Sequence, residues 1–354
     1  MGRRDHRRSG RRAGRHLHRV CGHRVDAIDR HRVQAEGRGV SELVLGVFDP
    51  VFAAYAVFIG GLLIVAGLVL TVLGPIMKKD VSSIWRTYLG WLIMIPALLG
   101  ALYLGRVATI IGVGLLSMRG FKEFARATGL YEDWWHVVAV YLGIAAVTAT
   151  SLVADPNTGD AGWYGMFMAS PAYIIAALMT IPIIRNETRG QLQRVSLSIV
   201  GFVYLGWMFG HLGFLANSEQ FYGYLLYLLF AVQLNDIAAF TFGKLFGKHK
   251  LRSEISPNKT VEGSLGALAT SMALPWLLHF SFPHFGTAEL VLTGLIVGVG
   301  GQFGDLTISF IKRDVGVKDM GVLIPGHGGI LDRVDSLIFV APLFFHMVRW
   351  FHGV

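Results

Sequence analysis

The feature that most constrains this chain is a series of apolar segments, each close to the length of a bilayer crossing. A spanning helix needs about 20 mainly apolar residues, because lipid offers backbone groups no hydrogen-bond partners and the segment must satisfy its own. Candidate segments fall at 49–74, 88–104, 107–118, 135–153, 163–184, 195–216, 221–242, 266–281, 286–308 and 336–350. Several are short, and 88–118 reads either as a tight hairpin or as one long helix bent around Gly105 and Arg106. The expectation is an all-α, polytopic integral membrane protein with about nine or ten transmembrane helices. Composition agrees, since the chain is 53% hydrophobic and only 16% charged. That is too apolar for a soluble globular protein. A single cysteine, Cys21, excludes a disulfide framework and a cysteine-rich metal centre.

Most of the formal charge of +9 sits at the start, where residues 1–40 hold 12 arginines against four acids. Residues 1–42 have few large apolar side chains and no sustained period. They read as a basic, disordered extension, or as sequence upstream of the working protein's start. No aromatic interleaving or nucleic-acid fold signature accompanies the arginines, so nucleic acid is not an expected partner. No cleavable signal peptide is apparent, because the first apolar run begins near residue 43 and is long enough to span. Residues 43–230 then supply the N-terminal and middle helices. Residues 231–354 form a C-terminal region whose loops carry the chemistry.

Loop charge gives an orientation. Segments 119–134, 185–194, 243–265 and 309–335 are basic, whereas 154–162 holds Asp155 and Asp160 and no base. Alternating spans put the four basic loops on one side, which the positive-inside rule makes cytoplasmic. The front end stays open. Ten spans leave the basic N-terminus outside, and nine move Lys78, Lys79 and Arg86 outside instead. The 44 glycines suit close helix packing, and self-association through small residues is a further expectation.

Three polar clusters interrupt the apolar pattern. In the first, Asp305 lies near the cytoplasmic end of a segment and is followed at helical spacing by Ser309, Lys312 and Arg313. An ionisable group at that depth is costly and is read first as functional. The second is "IPGHGGILDRVDS", residues 324–336. Here Asp332 and Asp335 flank Arg333 at the start of a helical run, with Ser336 next. Carboxylates on a low-dielectric rim attract a divalent cation, and Mg²⁺ is the hard ion suited to oxygen ligands and substrate phosphates. Gly326, Gly328 and Gly329 let backbone amides approach an anion, while His327 could bind phosphate, move a proton or fix the loop. The third cluster is "QLNDIAAFTFGKLFGKHKLRSEISPNKTVEG". Asn235 and Asp236 lie inside an apolar helix, Lys244, Lys248, His249 and Lys250 make a basic surface, and Lys259 and Glu262 adjoin turn formers. No P-loop, dinucleotide fingerprint, GxSxG element or HExxH helix is present, so hydrolase readings have little support.

At these residues the chain resembles the CDP-diacylglycerol synthases, the phosphatidate cytidylyltransferases of membrane lipid synthesis. The signature is carried by Ser309, Lys312, Arg313, Lys318, Asp319, Pro325, His327, Gly328, Gly329, Asp332, Arg333, Asp335 and Ser336. The resemblance also takes in Asn235 and Asp236, the "FGKLFGKHK" stretch with Lys244 and Lys248, and the "SPNKT.EG" loop with Ser256, Lys259, Thr260 and Glu262. It covers about 230–350 well, and upstream rests mainly on apolar segments and "GFKEFA". It implies an all-helical membrane enzyme of the cell inner membrane with its site facing the cytoplasm. CTP and phosphatidate would be its substrates and Mg²⁺ its cofactor. By the same resemblance Asp305 and Asp332 are the metal pair. Lys312, Arg333 and Asp335 complete the catalytic set, and the remaining motif residues contact substrate. Two departures stand out: Ile308 replaces a glutamate found in many members, and Val261 replaces a tryptophan. The runners-up are a CTP-dependent polyprenol or phytol kinase, and an ion-coupled transporter using Asp236 and Asp305.

Overall fold

The computed structural model describes residues 49–77, 82–321 and 328–353, and it is almost entirely helical. The basic extension, Lys78, Lys79, Pro325 and His327 lie outside the described residues.

Ten long helices follow one another: α1 (Pro50–Met77), α2 (Ser82–Tyr103), α3 (Arg106–Ala127), α4 (Trp134–Leu152), α5 (Tyr164–Arg185), α6 (Gln191–Leu215), α7 (Phe221–Phe246), α8 (Val261–Leu277), α9 (Thr287–Asp314) and α10 (Leu331–His352). Between α7 and α8 lies a small antiparallel hairpin, β1 (Lys250–Arg252) with β2 (Ser256–Thr260). Eight helices among the described residues are long and apolar enough to cross a membrane. The two that fall short are α3, whose last turns carry Arg119, Lys122, Glu123 and Arg126, and α8, at 17 residues. The protein is an all-α, multi-pass membrane protein. The expected break at Gly105 and Arg106 is a tight turn: Gly105 takes φ +90°, separating α2 from α3.

Local sequence explains where helices start and stop. Asp133 caps α4, accepting from the His136 amide, and Thr260 caps α8, accepting from the Gly263 amide. α5 ends at Asn186 in the left-handed conformation, and α10 ends the same way at Gly353. Prolines 96, 171, 182, 275 and 342 sit inside helices, as packed membrane helices allow.

Both ends of the bundle are tied by polar contacts. At one end, Asp133 pairs with Arg185 at 2.8 Å and Arg194 at 2.7 Å, joining the α3–α4 loop to the ends of α5 and α6. At the other, Arg106 donates to Asn217 and to the carbonyls of Ser151 and Leu152, and Tyr55 hydrogen-bonds Ser281 at 2.8 Å. The beginning of α1 therefore lies at the end away from Asp133. The interior is aromatic, with Phe167, Phe202, Tyr224, Tyr227, Phe344 and Phe345 buried. α1 and α2 instead present Phe58, Leu62, Ile64, Leu68, Leu89 and Ile93 outward, the arrangement expected where the surrounding solvent is lipid.

Two helices widen by one residue per turn, α6 at Phe202–Met208 and α9 at Ile296–Gly300. Such π-turns often sit beside functional sites. In α6 the turn brings Tyr204 to the Asp335 carbonyl, and His211 Nδ1 hydrogen-bonds the Trp207 carbonyl at 2.9 Å. In α9 it precedes Gly304, where a Cβ would come within 2.6 Å of the Asp335 carbonyl oxygen and Ser336 Cα. Only a glycine lets α9 and α10 approach so closely, and their polar ends meet as a result.

Candidate active site

The meeting point of α7, α9 and α10 encloses a cavity of about 220 Å³ lined by Asp236, Asp305, Lys312, Asp319, Asp332, Arg333 and Asp335. Five carboxylates and two bases thus share one space at the basic end of the bundle. Asp236 and Asp335 stand close enough to Asp305 to feel its charge. Keeping several acids together in a low-dielectric setting is unfavourable unless cations or donors compensate, and the structure supplies both.

Compensation is specific to each acid. Asp305, on α9, is paired with Lys259 from β2 and accepts from the Ser309 hydroxyl at 3.2 Å. Asp332, in the first turn of α10, takes Lys312 Nζ on Oδ1 at 2.9 Å. Its Oδ2 accepts from the backbone amides of Met320 at 2.9 Å and Gly329 at 3.0 Å. Asp335 is buried and accepts from the Ser336 amide at 2.7 Å. The side chain of Asp305 is 27% exposed and that of Asp332 only 5%. Asp305 is therefore the acid within easier reach of a ligand.

Other motif residues lie around this centre. Gly328 turns the backbone with φ +79° directly beside Asp332. Arg313 reaches out of the cavity to the Ile255 carbonyl, tying α9 to the hairpin that carries Ser256 and Lys259. Lys318 is exposed next to Asp319, and Lys244 lies over the Phe240 ring on the surface of α7.

Three residues read from sequence as substrate contacts are bonded to the protein itself. Asn235 is fully buried and accepts from Ser271 at 3.0 Å, so it faces α8 while Asp236 faces the cavity. Thr260 is the α8 cap. Glu262 accepts from the Lys248 and His249 amides and from His249 Nδ1 at 2.6 Å, closing the base of the hairpin. That ring contact, with the amides behind it, holds the Glu262 carboxyl at about 2, well below the usual range. Ile308 is fully buried in the apolar core. It is not among the residues that line the cavity.

Two residues absent from the sequence reading support the site. Tyr204 donates to the Asp335 carbonyl at 3.4 Å. Glu123, buried on α3, accepts from the Leu331 amide at 3.0 Å, one residue before Asp332. The signal for Glu123 was a lone acid among the bases Arg119, Lys122 and Arg126, in the "GFKEFA" stretch at the end of α3.

A cavity of acids rimmed by lysine and arginine, at the mouth of a membrane bundle, is suited to phosphates handled together with a hard cation. This class agrees with the sequence comparisons. Residues 84–351 match the profile of the Cytidylyltransferase family, and the chain belongs to that family. It is 33% identical over 254 residues to a phosphatidate cytidylyltransferase of Staphylococcus haemolyticus, covering 71% of this chain and 92% of the relative. It is 32% identical over 250 residues to the uncharacterized protein YnbB of Escherichia coli, covering 69% and 80% respectively. A shorter match, 46% identical over 149 residues, covers 42% of this chain and 55% of a phosphatidate cytidylyltransferase of Staphylococcus aureus.

Proposed function

We propose that this protein transfers CMP from CTP to phosphatidate, giving CDP-diacylglycerol and pyrophosphate for phospholipid synthesis. The observation that carries the reading is the membrane-rim cavity in which Lys312 and Arg333 stand among five carboxylates, in a chain of the Cytidylyltransferase family. An oxygen of the phosphatidate phosphate attacks the α-phosphorus of CTP and forms a new P–O bond. The bond from that phosphorus to the bridging oxygen breaks, and pyrophosphate leaves with the electron pair. A phosphomonoester is already largely ionised near neutral pH, its second pKa being about 6. No strong general base is needed, which suits a site rich in cations. Lys312 and Arg333 stabilise charge on the transferring group and on pyrophosphate. Lys259 acts from the hairpin side.

Mg²⁺ is the proposed cofactor, and the donor set fits it. The cavity offers carboxylate oxygens beside bases that can meet phosphate, and Mg²⁺ binds through one or two carboxylates plus substrate phosphates. Asp305 and Asp332 would hold it. When bound it would polarise phosphoryl oxygens and offset the charge developing on them.

The site-bearing end of the bundle also carries Lys122, Arg126, Arg185, Arg189 and Arg194, which supports a cytoplasmic face. We place the protein in the cell inner membrane on the same reading. The test uses purified protein in detergent with CTP, phosphatidate and Mg²⁺. Pyrophosphate and CDP-diacylglycerol are expected in equal amounts. Release of CDP with a phosphorylated lipid would instead establish a kinase, and no nucleotide turnover would remove the enzyme reading.

A further inference from the structure

Glu123 is a carboxylate on α3 whose side chain is only 4% exposed, and it lies outside the cavity of acids. Burying a charge without compensation costs several kcal/mol, so its partners indicate what it does. One is Arg119, a turn earlier on α3, with Nε 3.6 Å from Oε1. The other is distant in sequence: Oε2 accepts from the Leu331 amide at 3.0 Å. Leu331 opens α10, whose first amides have no partner within the helix. A negative charge there also suits the helix dipole.

The carboxylate touches the loop before α10 in two more places. A Cβ on Gly321 would come within 2.8 Å of Glu123 Cδ and Oε1, and a Cβ on Gly329 would collide with the same carboxylate. The backbone at Gly321 and at Gly329 therefore lies flat on Glu123. Asp332 gathers the same two stretches, through the amides of Met320 and Gly329. One acid holds them from the α3 side and the other from the cavity side.

We propose that Glu123 is a positioning residue: it fixes the backbone at Gly321, Gly329 and Leu331 so that the amides of Met320 and Gly329 aim Asp332 into the cavity. The proposal rests on the cytidylyltransferase reading for its effect on turnover, and on geometry alone for its effect on the loop.

Two variants separate these. Glu123→Ala removes every acceptor. Glu123→Gln keeps one oxygen toward the Leu331 amide and loses the charge toward Arg119. Hydrogen exchange of peptides covering 318–332 is measured by mass spectrometry in detergent, beside turnover across a Mg²⁺ titration. Exchange in these peptides is expected to speed up in the order wild type, Glu123→Gln, Glu123→Ala, with peptides from α7 unchanged. Glu123→Ala is expected to lose about 10- to 100-fold in turnover and to need more Mg²⁺ for half-maximal rate, as removal of a residue that orients a metal ligand does. If Glu123→Ala fails to fold, Glu123→Gln decides on the same two readouts. Wild-type exchange across 318–332 in the folded variant, or an unaltered Mg²⁺ requirement with wild-type turnover, overturns the proposal. A wild-type protein that makes no CDP-diacylglycerol overturns the functional reading, and the exchange order then still decides the role of Glu123.

Discussion

Lys312 Nζ lies 2.9 Å from Asp332 Oδ1, joining the last turn of α9 to the first turn of α10. Base and acid sit at the helix ends whose dipoles favour them. Both residues line the cavity.

Asp332→Asn is expected to leave the loop in place, because an amide oxygen still accepts from the Met320 and Gly329 amides. Turnover is expected to fall by at least about 100-fold, a loss typical of removing charge stabilisation from a transition state. Initial rates with CTP and phosphatidate, on protein that runs as a single species in size exclusion, check this. A folded Asn variant with near-wild-type rate contradicts it.

The Lys259–Asp305 pair makes a separate prediction, because Lys259 reaches from the hairpin to an acid that lines the cavity. Lys259→Ala should lower kcat/KM for CTP by roughly 10- to 100-fold, the range of one charge-assisted hydrogen bond. Lys259→Arg should recover part of it. Equal kinetics in wild type and Lys259→Ala would show that the lysine serves only to neutralise Asp305.

Asp133 bears on stability rather than chemistry. Burial raises its pKa, but hydrogen bonds from Arg194, Arg185 and His136 outweigh that and hold it at about 2, below the usual 3.8. A depressed acid contributes stability that is fully present above its unfolded pKa and lost as pH falls through the folded one. The contribution of Asp133 should therefore persist at neutral pH and disappear between 3.8 and about 2. Asp133→Asn should cost about 2 kcal/mol near neutral pH and flatten that part of the acid profile. Thermal unfolding in detergent across the pH range reads both.

Glu262 makes the same kind of prediction for the hairpin. Its ring contact with His249 and the backbone amides hold it at about 2 against an ordinary 4.5. Protection of the 248–262 backbone from hydrogen exchange should hold down to pH 4.5 and fall as pH approaches 2. Glu262→Gln should exchange faster at neutral pH and lose this dependence. A pH-independent wild type would place the hairpin's anchor elsewhere.

The residues that line the cavity were largely legible in the sequence. Asp305 stood out as an ionisable group near the end of an apolar segment, where burial is costly; Lys312 followed at helical spacing, and Asp332, Arg333 and Asp335 clustered beside the glycines before the last apolar run. The structure brings all five into one space. Adjacent positions were harder to separate. Asn235 and Asp236 read as a pair, yet successive residues on a helix point about 100° apart, and only the aspartate meets the cavity. Thr260 and Glu262 share their motif with Lys259, and only their hydrogen bonds reveal a cap and a hairpin latch. Glu123 lies 208 residues from the amide it accepts, and no local pattern encodes such a contact. The widened turns in α6 and α9 leave no mark in the hydrophobic periodicity. The count of spans was blurred at 88–118, where a hairpin and one bent helix read alike, and the structure leaves α3 and α8 short of a span, one too polar at its end and the other too short.

If the acidic cavity catalyses cytidylyl transfer, the α-phosphorus of CTP moves to the lipid. One experiment compares CTP labelled at the α-phosphate with CTP labelled at the γ-phosphate, with phosphatidate and Mg²⁺, in wild type and Asp305→Asn. Only α-label should enter the lipid phase, matched by pyrophosphate in the aqueous phase, and Asp305→Asn should transfer neither. Transfer of γ-label to lipid, or undiminished α-transfer by Asp305→Asn, would contradict it.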